Sequence, residues 1–327
     1  MTKHGEIGGF LGLELPVYDN FPWRGGVCVN SGRNAFAHLL RSLGHVRKVY
    51  LPRYTCHSLA ATLRKQRIPC DCYAVDRRLE IAEESAPHPQ QGEYVLFTHY
   101  FGLQEQYIAE LSERYRDHLI IDQSLALFSP PPEGTPSFYS PRKFAGLPDG
   151  GIAFCTDQEA VPTECDVSHS TASFLLRSLE SGTAAASKAC EENERRIAHA
   201  PCRAMSKLTA RLMSSVDFDA ARTRREENCA LLHEHLGHLN KLPADMLRPC
   251  AAWCYPFWTN LPEWRNFLID RNIYIPILWP HLLAPAYAGT LEQKLARELI
   301  PLPIDQRYDA RDMMRIVEVA HAFMAGK

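Results

Sequence analysis

Lys143 closes the run Ser140-Pro141-Arg142-Lys143 and stands shortly before the pair Gly150-Gly151. Upstream, the apolar run His118-Leu119-Ile120-Ile121 reads as a strand and ends in Asp122. Nearer the start, Ser31-Gly32-Arg33-Asn34 lies between the strand-like Val27-Cys28-Val29-Asn30 and a helical pattern. A lysine amine can hold an aldehyde as a Schiff base. A carboxylate at a strand end can keep a pyridine nitrogen protonated and the ring electron-poor. Those are the two groups that pyridoxal chemistry needs, and free N–H groups at a helix start suit its phosphate.

Each residue has a plainer alternative. Ser31 or Asn34 can simply cap a helix, Asp122 can cap the turn that follows its strand, and a loop lysine usually sits in solvent. Ser140 through Lys143 also fits the S-x-x-K nucleophile motif of serine β-lactamases, but the partner motifs S-D-N and K-T-G are absent from the chain. His233-Glu234-His235-Leu236-Gly237-His238 imitates a metalloprotease site, yet Gly237 stands where H-E-x-x-H needs its second histidine. Cys56 and His57 are adjacent, so on a helix or strand they point apart and make no dyad. Cys70-Asp71-Cys72 and Cys250 with Cys254 have spacings that do not pair as a zinc site, and no metal is expected.

The elements that would position these residues alternate. After the helix Asn34 to Leu43, closed by Gly44, come Val49 to Pro52, a helix over Ser58 to Gln66, Cys72 to Val75, Tyr94 to Thr98, a helix over Gln104 to Arg116, the strand ending at Asp122, and Gly151 to Phe154. Strand and helix in turn predict a mainly parallel sheet covered on both faces. The expected organisation is a large α/β domain over 1–172, long connecting helices over 173–240, and a small α+β domain over 241–327. The last comprises Trp253 to Trp258, a short helix Trp264 to Asp270, Ile273 to Ile277 and a final helix from about Asp309 to Ala325.

Bulk properties narrow the class. The chain has 327 residues, a formal charge of −2 and eleven cysteines. Near-balanced charge argues against nucleic acid or an anionic membrane as the main partner. No apolar run of membrane-spanning length and no signal-like start is present, so a soluble, cytoplasmic protein with free thiols is expected.

Taken together, five segments resemble the DegT/DnrJ/EryC1/StrS sugar aminotransferase family in the same order: Ser31 to Phe36, Leu51-Pro52-Arg53-Tyr54-Thr55, His99-Tyr100-Phe101-Gly102, Ile121-Asp122-Gln123-Ser124, and Tyr139 to Lys143 with Gly150-Gly151. The resemblance implies the fold type I architecture of pyridoxal 5'-phosphate-dependent transferases, a large mainly parallel-sheet domain with a smaller C-terminal one. It implies Lys143 as the Schiff-base lysine, Asp122 as partner of the pyridine nitrogen, and Ser31, Gly32, Arg33, Asn34, Cys56, His57 and Ser140 as further cofactor contacts. It also implies a homodimer and amino transfer, commonly from glutamate, to a keto group on a nucleotide-linked sugar. Arg307, His281 and Tyr54 are the substrate candidates.

Several departures mark a divergent branch. Arg33 replaces the usual Thr, Cys56 stands where an aromatic often stacks on the ring, and Leu125 stands where a Gln or His commonly reaches the cofactor's phenolic oxygen. The partner-supplied Gly-x-Asn-Tyr-Arg loop is not recognisable after Gly151. Two other readings follow: a sugar dehydratase-like pyridoxal enzyme, against which Lys143 argues because such dehydratases usually carry histidine there, and a non-catalytic relative serving as a binding protein.

Overall fold

The structure, a computed structural model, describes residue 7 and residues 9–155 and 162–325. Its large sheet is built from β1 (Val27–Val29), β2 (Lys48–Pro52), β3 (Cys70–Tyr73), β4 (Glu93–Thr98), β5 (Leu119–Asp122), β6 (Ser137–Tyr139) and β7 (Gly151–Phe154). They lie in the order β1-β7-β6-β5-β4-β2-β3. β7 runs antiparallel to both β1 and β6, and the other pairings are parallel. All strands except β7 therefore point the same way. Ser31 after β1, Asp122 at the end of β5 and Ser140 after β6 are delivered to one edge, the carboxyl edge where open α/β sheets bind ligands.

The local sequence explains the elements that matter. All four residues of β5 are buried, as expected of a strand covered on both faces, which needs an unbroken apolar run. Helix α1 (Gly32–Ser42) starts where Ser31 Oγ accepts from Asn34 N at 3.1 Å, a cap worth about 1 kcal/mol. Phe36, Leu39 and Leu40 share its inner face and are buried, with Phe36 5.2 Å from Phe138 of β6. α2 (His57–Lys65) connects β2 to β3 and α3 (Glu105–Tyr115) connects β4 to β5.

Three longer helices follow: α4 (Ser173–His199), α5 (Lys207–Ser214) and α6 (Phe218–Leu236). Gly182, at φ 81°, breaks α4 into two segments. Between α4 and α5 the chain returns to the large sheet, where Asn30 N donates to Arg203 O at 3.0 Å and Met205 N to Cys28 O at 3.2 Å. α6 ends at Leu236 and passes into a short turn over Gly237–Leu239, so the His-rich stretch is a helix end.

The C-terminal part holds β8 (Tyr255–Trp258), α7 (Trp264–Ile269), α8 (Leu291–Glu298), β9 (Leu299–Leu302) and α9 (Ala310–Ala325), with β8 and β9 paired antiparallel. One apolar core joins Phe97 and Ile121 of the large sheet to Trp258, Ile300 and Ile316. Residues 273–277 form no strand. The carbonyls of Ile275 and Pro276 accept instead from the buried guanidinium of Arg265, which also donates to Leu299 O at 3.2 Å. Backbone groups satisfied in this way need no ladder. No helix among the described residues is long and apolar enough to cross a membrane, and no cluster of potential metal ligands occurs among them.

Candidate active site

Lys143 ends a short turn, Pro141–Lys143, that Pro141 opens directly after β6. Its Nζ donates to Ser124 Oγ at 3.0 Å, and Ser124 N donates to Asp122 Oδ1 at 2.8 Å. Asp122 is 3% exposed. Burial raises its carboxyl above the ordinary aspartate value, against the opposing pull of the Lys143 charge and of its bonds to Ser124.

Two glycines make the close approaches that assemble the rest. Gly150 N donates to Asn30 O at 3.0 Å, and a Cβ on Gly151 would lie 2.1 Å from Ser31 O. A Cβ on Gly32 would meet Ser140 Cβ at 3.1 Å and Oγ at 3.3 Å, so Ser140 packs against the first turn of α1. The result is a cavity of about 210 Å³ lined by Gly32, Cys56, Asp122, Ser124, Ser140 and Lys143, among others. Arg33 and Ser31 also line it. Ser31 Oγ is engaged as the α1 cap, which is the plainer reading of that serine.

This donor set fits pyridoxal phosphate. An amine and a buried carboxylate face one cavity, and where its wall meets the N-terminus of an eleven-residue helix, a glycine keeps the backbone bare. A second cavity of about 520 Å³ shares Arg142 and Lys143 with the first, and Arg225, Trp253 and Arg307 line it.

Several sequence candidates stand elsewhere. Asn34 does not line the small cavity. Its amide donates to Asn30 Oδ1 at 2.7 Å and to Pro201 O at 3.1 Å, which ties α1 to the returning chain. His57 is exposed on the first turn of α2, with its ring 5.8 Å from that of His281, and neither lines either cavity. Cys56 does line the small one, and its Sγ accepts from Ser58 Oγ at 3.1 Å. Tyr54 is fully buried between Tyr100 and Trp279, with ring centroids at 5.7 and 4.7 Å. Arg307 reaches the larger cavity while held bidentately by Asp305 at 2.7 and 2.9 Å. Leu125 is buried in the apolar core.

Sequence reasoning missed Ser124 as a site residue. The signal was present: an Asp whose side chain accepts from the N–H two residues on forms a local turn, and that turn carries the serine beside the lysine.

No protein-family model and no curated protein matches the chain in sequence. Solved structures do. The sugar aminotransferase CalS13 from Micromonospora echinospora superposes with a TM-score of 0.63 at 15% identity, over 91% of this chain and 87% of that one. A DegT DnrJ EryC1 StrS aminotransferase from Brucella abortus gives 0.58 at 16%, over 93% and 87%. DesV from S. venezuelae, solved in complex with a ketimine intermediate, gives 0.61 at 18%, over 91% and 84%. The chain has the fold type I aminotransferase fold. Within that fold, Lys143, Asp122 and the first turn of α1 meet at the carboxyl edge of the sheet.

Proposed function

We propose that this chain is a pyridoxal phosphate-dependent aminotransferase that moves an amino group, from a donor such as glutamate, to a keto sugar, nucleotide-linked or a related glycan precursor. The observation that carries this reading is the Lys143–Ser124–Asp122 chain, with 3.0 and 2.8 Å contacts, in a cavity that shares Arg142 and Lys143 with a second, larger one. The solved structures of like fold support it, since CalS13 is a sugar aminotransferase by its description. We further infer a homodimer acting in the cytoplasm.

Bound pyridoxal phosphate supplies an electron-poor ring that can take up the bonding electrons of a substrate carbon. The chain's residues do the rest. Asp122 holds a proton on the ring nitrogen, and its burial concentrates that interaction. Gly32 and Arg33, through the N–H groups of the first turn of α1, and Ser140 through its hydroxyl hold the phosphate. Lys143 would hold the aldehyde carbon, and its Nζ, once a substrate amine takes its place there, would be the base that carries a proton at the reacting carbon. Ser124 Oγ, as acceptor, keeps Nζ aimed. Arg307, which lines the larger cavity, would meet an anionic group of the substrate once Asp305 yields.

The test is an absorption spectrum. The purified protein should be yellow with pyridoxal phosphate, lose that colour on borohydride treatment, and convert to the amine form of the cofactor with glutamate alone. Lys143→Ala should show no lysine-linked band. An unchanged band in that variant, or no uptake of cofactor by the parent protein, would overturn the assignment.

A further inference from the structure

We propose that Arg142 grips the phosphate of the bound cofactor and that Glu194 is its built-in competitor. The inference rests on the reading of the cavity as a pyridoxal phosphate site and assigns a specificity-determining residue within it. Arg142 immediately precedes Lys143 inside the same turn, so its backbone is fixed relative to the lysine. Its side chain is 14% exposed and lines the small cavity along with Gly32 and Ser140. Its Nη2 donates to Glu194 Oε1 of α4, while its Nε is buried with no hydrogen-bond partner among the described residues.

A guanidinium offers five N–H donors in a flat fork whose natural complement is a phosphate or carboxylate taken two at a time. Here a single carboxylate oxygen occupies one arm and the Nε donor is idle. Glu194 lines the same cavity, so its carboxylate already stands where an anion could enter. A phosphate monoester carries more charge than a carboxylate and has three acceptor oxygens. Glu194 is 47% exposed, so water can take over the solvation of its carboxylate when a phosphate displaces it from the guanidinium. Gly182 breaks α4 upstream of Glu194, which gives that segment a place to turn as the pair opens.

The experiment compares pyridoxal phosphate with pyridoxal, which keeps the aldehyde and ring but lacks the phosphate. Both use Lys143 and Asp122 alike, so the ratio of their dissociation constants isolates the phosphate contact. Titrations followed by absorbance are made on the parent protein, Arg142→Gln, Arg142→Lys and Glu194→Gln. Arg142→Gln should weaken pyridoxal phosphate by about tenfold or more, the scale of a charge-assisted hydrogen bond, and leave pyridoxal within about twofold. Arg142→Lys keeps the charge without the fork and should fall between. Glu194→Gln should tighten pyridoxal phosphate several-fold and leave pyridoxal unchanged, and inorganic phosphate should compete more effectively against pyridoxal phosphate in that variant than in the parent.

Equal loss of both compounds in Arg142→Gln, no change in either, or weaker pyridoxal phosphate binding in Glu194→Gln each overturns the proposal. So does unchanged cofactor binding in Arg142→Gln with a raised half-saturation for glutamate, which would assign the arginine to the donor carboxylate. A parent protein that binds neither compound overturns the functional reading itself and this inference with it. A parent that binds both, with Arg142→Gln indistinguishable from it, overturns this inference alone. If Arg142→Gln fails to fold, Glu194→Gln decides the matter, because removing the charge of a half-exposed carboxylate leaves the core untouched.

Discussion

Lys143 and Asp122 are joined through one residue, Ser124, whose hydroxyl accepts from Lys143 Nζ at 3.0 Å and whose backbone N–H donates to Asp122 Oδ1 at 2.8 Å. The serine thereby sets the relative position of a carboxylate at the end of β5 and an amine from the turn after β6. Its backbone half is a local turn that survives side-chain substitution. Its hydroxyl half is not.

Ser124→Ala therefore separates aim from assembly. Losing one hydrogen bond of about 1 kcal/mol should slow the half-reaction with glutamate by roughly fivefold and leave the thermal midpoint nearly unchanged. Ser124→Thr, which keeps the hydroxyl, should recover most of the rate. Single-turnover absorbance gives the rate, and calorimetry the midpoint. A variant as fast as the parent would remove the aiming role.

Asp122→Asn should trade function for stability. Burial holds the Asp122 carboxyl above its ordinary value, so between the ordinary and the raised value the folded chain binds more protons than the unfolded one. Stability then declines as pH rises through that window, and the penalty is fully present above it. Asparagine keeps the bond from Ser124 N and carries no charge to bury. The ligand-free variant should melt higher than the parent at pH 7, with the gain shrinking as pH falls toward the ordinary aspartate range, while its reaction with glutamate slows by about a hundredfold or more for want of a protonated ring. A lower midpoint at pH 7 would contradict this account.

The parts of the site that could be read from sequence are those whose local physics has one solution. β5 with its terminal Asp122 was legible because a strand buried on both faces is an unbroken apolar run. α1 was legible because a cap precedes apolar residues at helical spacing. What failed was direction. The run Ser31 to Asn34 places a helix start, yet nothing in it says that Asn34 turns back toward Pro201 while Gly32 faces Ser140. Tyr54 and Cys56 belong to one segment, but only the cysteine lines the cavity, because Trp279 and Tyr100 from distant segments enclose the tyrosine. β6, three residues long, is too short for a period to show. β9 contains Pro301, which pairs with Pro256 in a two-stranded ribbon, and proline argues against strand in any reading by propensity.

His99 predicts an acid limit. It is fully buried, its Nδ1 lies 2.7 Å from Gln123 Oε1 and its Nε2 accepts from Gln104 N at 3.2 Å. Burial pulls its value from 6.5 down to about 4, so the ring is neutral at working pH. Between those values the unfolded chain binds the extra proton. Stability should thus fall as pH drops from 6.5 toward 4, by on the order of 3 kcal/mol if no other group intervenes. His99→Gln can donate and accept in the same places without titrating. Its melting temperature should decline less over that range, and a parallel decline would assign the acid limit to other groups.

Gly151→Ala tests whether the meeting of β7 with the start of α1 builds the cavity. The added Cβ would lie 2.1 Å from Ser31 O and 2.6 Å from Gly32 N, both backbone atoms that no rotamer change can move aside. Ordinary contact begins near 3.4 Å, so the strand and the helix start must separate. Overpacking of this kind costs about 1–3 kcal/mol or more. The displaced segment is the same one that lines the cavity, so cofactor affinity should fall along with the melting temperature. Gly12→Ala is the control, since nothing among the described residues lies within 4 Å of its added carbon, and it should match the parent in both measurements. A Gly151→Ala protein with parental melting and parental pyridoxal phosphate affinity would show that the approach of Gly151 to Ser31 does not shape the site.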